Sequence, residues 1–171
     1  MLNRIPARLV LFSVILLSSS FLQAQSYQLH SVFLYSFTRY VQWPEEMNKG
    51  DFDILVYGDS PITPELKKMA DLKKVGDRPI KIHSIKSTSE IRKCNILYVP
   101  ADKSAQLADI LTKVGAHSIL VVTEQEGLGA KGSGINFITR DGKLAFEMNQ
   151  AALTKQKLKA STELTRLAIV I

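Results

Sequence analysis

Four polar side chains sit among apolar neighbours and are the first to weigh for chemistry: Tyr35, Arg39, Asp59 and Glu147. Tyr35 and Arg39 lie four residues apart within "SVFLYSFTRYVQWPEEM". On a helix they share a face, offering a ring for stacking beside a guanidinium. Asp59 follows the apolar run "FDILVYG", at the strand end where parallel sheets usually build their sites. Glu147 lies between Phe146 and Met148, and strand alternation puts it on the face opposite Phe146, either paired with Arg39 or in water. These four are candidate contacts for a ligand or partner.

They do not make a catalytic set. Acid–base catalysis needs a carboxylate held against a second group, and none of Asp53, Asp59 or Asp77 has a base beside it in the sequence. A G-x-S-x-G nucleophile elbow is absent. The segment "GLGAKGSG", Gly127 to Gly134, carries Lys and Ser in the wrong order for a nucleoside-triphosphate loop, and a strand rather than a helix follows it. It reads as a flexible connection whose glycines permit positive φ, with a ligand or partner lid as the alternative. His30, His83 and His117 are isolated from one another, so no metal and no cofactor is expected. Cys94 is the single cysteine, which excludes an internal disulfide. Preceding the apolar "NILYV", it reads as a buried spectator thiol. The expectation is a protein that is not an enzyme.

The elements that must position these groups alternate along the chain. A helix from Tyr27 to Val41 would bury Leu29, Val32, Phe33, Phe37, Tyr40 and Val41, and Pro44 ends it. The run Phe52 to Gly58 is a central strand. A helix follows, with Thr63 as its cap, Pro64 in its first turn and Leu66, Met69 and Ala70 inward. A turn at Gly76–Asp77 leads to a strand from Ile80 to Ile85, "STSEIRKC" makes one helical turn, and Asn95 to Pro100 is a third strand. A helix facing inward with Leu107, Ile110, Leu111 and Val114 closes at Gly115, and "HSILVVTE" is a fourth strand. Asp141–Gly142 between two alternating runs signals a hairpin whose edge, Leu144 to Met148, would be open. Two helices complete the tail, Gln150 to about Lys159 and Ser161 to about Ile169. The fold class is α/β: a single-domain three-layer sandwich, its sheet largely parallel, with a C-terminal antiparallel hairpin.

Length and charge narrow the setting. Arg4 and Arg8 precede the run "LVLFSVILL", and Leu22 and Ala24 sit before a cleavage point at Ala24/Gln25. Residues 1–24 therefore read as a cleaved signal peptide, leaving 25–171 as one domain with room for a full core. The whole chain carries +6, and the domain alone +4. Lys155, Lys157 and Lys159 form the densest basic run, which reads as a solvated face; nucleic acid is not an expected partner.

Taken in order, "SVFLYSFTRYVQWP", "FDILVYGDSP", "VGDRPIKI", "CNILYVP", "SILVVTEQEG", "GSGINFITRDGKLAFEMN" and "LKASTELTRLAIVI" resemble the YfiR/HmsC-like family of small exported bacterial proteins. The resemblance runs from about Tyr27 to Ile171. It implies a compact α/β domain in the periplasm, often a homodimer. It also implies a regulator whose partner is the periplasmic region of an inner-membrane protein, a diguanylate cyclase in the best-understood relative, with cyclic di-GMP and biofilm downstream. That relative uses disulfides, which the lone Cys94 cannot form within one chain. A second reading is a periplasmic small-molecule binding module. A third is a chaperone-like subunit pairing through the hairpin edge.

Overall fold

The computed structural model describes residues 26–171. The signal-peptide expectation for 1–24 lies outside the described residues. The chain opens with helix α1, residues 26–40. Strands β1 (Val41–Gln42) and β2 (Phe52–Tyr57) follow, then α2 (Ile62–Leu72), β3 (Lys74–Val75), β4 (Arg78–Ile85) and β5 (Ile96–Val99). Next come α3 (Leu107–Val114), β6 (Leu120–Thr123), β7 (Ile135–Arg140) and β8 (Lys143–Met148). The tail holds α4 (Gln150–Lys155), β9 (Lys159–Ala160), α5 (Thr162–Leu167) and β10 (Ile169–Val170).

Eight strands form one sheet in the order β10-β8-β7-β6-β5-β2-β4-β3. The run from β4 to β7 is parallel throughout, whereas β8 returns antiparallel to β7. The five parallel strands lie 2-1-3-4-5 in chain order, a doubly wound arrangement whose order reverses between β2 and β5. Consecutive residues of the central strands enter different cores. Ile54, Val56, Ile96, Tyr98, Leu120 and Val122 join α1 and α2 residues such as Leu34, Phe37, Ile62 and Leu66. Leu55, Tyr57, Leu97, Val99 and Val121 join Leu107, Ile110 and Val114 of α3. Both faces of the sheet are thus dry, which is why these strands read as unbroken apolar runs. The expected α/β domain with a mostly parallel sheet is present.

The hairpin register pairs Phe137 with Phe146 and Arg140 with Lys143. Asp141 at φ 51° and Gly142 at φ 71° make the two-residue turn, with both central residues left-handed. Several local expectations are corrected. The buried stripe of α1 is rotated: Leu34 and Phe37 are buried, while Leu29 is 44% and Val32 54% exposed. Phe33 and Phe37 pack against Phe137 and Phe146, so the aromatic residues settle over the hairpin and pull the helix round. Helix α2 starts two residues earlier than a Thr63 cap requires, and the Ser60 hydroxyl accepts from the Ile62 amide at 3.4 Å instead. The Thr63 hydroxyl is buried without a partner. Ser161 does cap α5, accepting from the Leu164 amide at 3.2 Å. The tail helices are shorter than expected, because β9 pairs with β1 and β10 with β8. That second pairing closes the Glu147–Met148 part of the expected open edge.

Candidate functional site

Parallel strands deliver their loops to one end of the sheet, and a cleft of about 800 Å³ lies there. Glu124, the residue after β6, forms its floor, and Ala101, just after β5, its rim. Tyr27, Leu29 and His30 of α1 and Phe137, Ile138 and Leu144 of the hairpin supply the walls. At the strand reversal itself, Gly58 has φ 82°, and a Cβ there would lie 2.7 Å from Cε of Lys103. The Lys103 stem covers Gly58 at the crevice between β2 and β5, and the cleft is displaced toward β6 and β7.

Glu124 is a buried carboxylate surrounded by donors. Tyr27 donates its hydroxyl at 3.3 Å and the Ala101 amide donates at 3.0 Å, both to Oε1. Tyr98 donates to Oε2 through a short hydrogen bond. His30 Nε2 stands 3.8 Å from that same oxygen, and its Nδ1 lies 2.8 Å from the Ser26 carbonyl. Burial, then the neighbouring Glu124 charge, pushes the Tyr27 hydroxyl up to about 12 and the Tyr98 hydroxyl well above its ordinary 10. Both phenols therefore remain donors at neutral pH. Burial lowers His30 below its ordinary 6.5, so its ring is held neutral against the Phe137 edge, 4.4 Å between centroids. The arrangement is a fixed polar knot under a cleft of mixed polar and apolar lining. Both carboxylate oxygens accept hydrogen bonds, so neither stands unengaged.

None of the four residues singled out in the sequence lines this cleft. Tyr35 and Arg39 reach different neighbours within the chain. The Tyr35 hydroxyl donates to the Lys74 carbonyl at 3.3 Å, and the Arg39 guanidinium lies 5.9 Å from the Tyr40 ring centroid. Asp59 is exposed beyond β2. Glu147 pairs with neither Arg39 nor water alone: Asn136 donates to its Oε2 at 2.9 Å, and Thr123 donates to Asn136 at 2.7 Å, tying β6, β7 and β8 together. His83, isolated in sequence, meets Asp53 at 2.9 Å across β4 and β2, half-exposed and away from the cleft. Cys94 is buried, and burial pushes its thiol up to about 12. The glycine loop is anchored rather than loose. Ser133 is fully buried and donates to the Ile135 carbonyl at 2.7 Å, while the Gly134 amide donates to Val121 at 3.1 Å. Sequence reasoning missed Glu124, Tyr27, His30 and Tyr98. The one signal was Glu124 itself, an acid closing the apolar run "LVVTE" at a parallel strand's carboxyl end.

Among the described residues no helix is long and apolar enough to cross a membrane, and no three His, Cys, Asp or Glu side chains group as metal ligands. No curated protein matches the chain. The family model described as YfiR/HmsC-like matches residues 27–169, from the first turn of α1 into β10, and the chain belongs to that family.

Proposed function

We propose that this protein is a non-enzymatic periplasmic regulator that binds the periplasmic region of an inner-membrane signalling protein and holds a diguanylate cyclase inactive. The family match over the whole described domain carries this reading. A signal peptide over residues 1–24 delivers the protein to the periplasm, and the three-layer domain acts there as a rigid scaffold. The contact surface is the outward side of α1, where Leu29 and Val32 are about half exposed beside the cleft. Exposed aliphatics on an ordered helix suit a protein partner better than water. Deleting the gene should raise cellular cyclic di-GMP. Complementation with Val32→Glu should fail to lower it again, although the substituted position faces solvent and leaves the fold intact. An unchanged cyclic di-GMP level in the deletion strain would sink the cyclase version.

A second reading has its own observation. The cleft above Glu124 has the size and mixed lining of a small-molecule site. A metabolite screen by thermal shift should then give a hit that Leu144→Arg abolishes; hits unaffected by that variant would place the ligand elsewhere.

A further inference from the structure

The opposite end of the sheet carries a second cleft of about 430 Å³, built where β5 and β6 begin. Arg92, Lys93, Lys113 and Lys157 line it from three separate segments, against one acid, Glu46. Among the described residues none of these four cations takes part in an ion pair. Lys93 Nζ instead donates to the Glu46 backbone carbonyl at 2.8 Å, which fixes its ammonium at the rim. Gathering four like charges costs self-repulsion unless an anion relieves it.

Two further observations point the same way. Of three non-glycine residues with left-handed backbone among the described residues, two line this cleft: Ser118 at φ 59° and Lys157 at φ 56°. Lys157 holds the position after α4 where glycine is the favoured residue, so a costly conformation places a cation here. The side chain of Gln156 locks the pair of loops, donating to the Gly115 carbonyl at 2.6 Å and accepting from the Ile119 amide at 3.2 Å. Ser118 is 4% exposed and lines the cleft. A ring of cations on a cross-braced frame, with a serine in the lining, offers the donors that a phosphate group takes.

We propose that this cleft is a binding site for a phosphate-bearing anion, held by Arg92, Lys93, Lys113 and Lys157 with Ser118 at its base. The phosphate comes from a soluble phosphate compound or from the headgroup of an anionic phospholipid. The site is independent of the regulatory reading and lies at the other end of the sheet from the Glu124 cleft.

The probes are inorganic pyrophosphate, titrated by calorimetry at low salt, and phosphatidylglycerol vesicles against phosphatidylcholine vesicles in a flotation assay. The protein is the chain from residue 25, tested as wild type, Lys113→Gln and Lys157→Gly. Lys157→Gly removes the amine while placing glycine where the backbone favours it, so loss of binding cannot be loss of fold. Each substitution should weaken binding about tenfold, whereas Lys143→Gln on the distant hairpin should not. Pyrophosphate binding with this pattern identifies a soluble ligand, and vesicle binding with this pattern identifies the headgroup; both support the site. Binding of neither probe, or binding that Lys143→Gln weakens as much as Lys157→Gly does, overturns it.

Discussion

The Glu124 knot makes its energetic demands one atom at a time. Tyr98→Phe leaves Oε2 of a buried carboxylate with only His30 at 3.8 Å, and should cost about 2 kcal/mol in denaturant unfolding. The phenols also set a pH limit. Their folded pKa values lie above the unfolded value of 10, so the unfolded chain sheds protons that the native chain keeps. Their contribution is complete below about pH 10 and is lost as pH rises through about 12 for Tyr27 and through the raised pKa of Tyr98. Absorbance near 295 nm at pH 11 should therefore show fewer tyrosinates than the five tyrosines of the chain until the protein unfolds. A full count on the native protein would contradict the knot. This network was invisible in the sequence because its members lie up to 97 residues apart and none is unusual locally. Tyr35 and Arg39 attracted attention for the opposite reason: four-residue spacing is legible, but it says nothing about which neighbour each side chain reaches.

At the scale of elements, the parts that carried their own periodicity were readable. The central strands appeared as apolar runs because both faces are dry, and the hairpin appeared through Asp141–Gly142. The two-residue strands β3, β9 and β10 were not readable, since two residues display no alternation and their pairing is decided by tertiary contact. The rotation of α1 was misread because its apolar residues exceed one stripe, and only the hairpin aromatics choose among them. Strand β10 has a testable task. Ile169 and Val170 lie beside Glu147 and Met148, the Ile171 amide donates to the Met148 carbonyl at 3.0 Å, and the Ile171 carbonyl accepts from Gln150. Ending the chain after Leu167 should uncover this edge of β8. Amide exchange at Met148 should then accelerate and the protein should self-associate at high concentration. Protection unchanged from the full chain would mean that β10 does not guard the edge.

For the molecule as a whole, the lone thiol separates two kinds of regulation. Cys94 lies just before β5 in the core that includes Ile110, Val114 and Leu97, with burial as the main cause of its raised pKa. Thiol exchange needs both the thiolate and a path to it, and the native fold withholds both. An intermolecular disulfide through Cys94 therefore requires the fold to open first. Reaction with an aromatic disulfide reagent at neutral pH should be slow in buffer, and complete, at one thiol per chain, in guanidinium. Its native rate should track global stability, so that Tyr98→Phe, which loosens the fold from the opposite end of β5, accelerates it. A fast native reaction insensitive to Tyr98→Phe would mean that Cys94 is reached by a local opening of the Ile91–Cys94 segment. Redox control through an intermolecular bond would then have a physical route, and the basic cleft bordered by Arg92 and Lys93 would be the surface that opens.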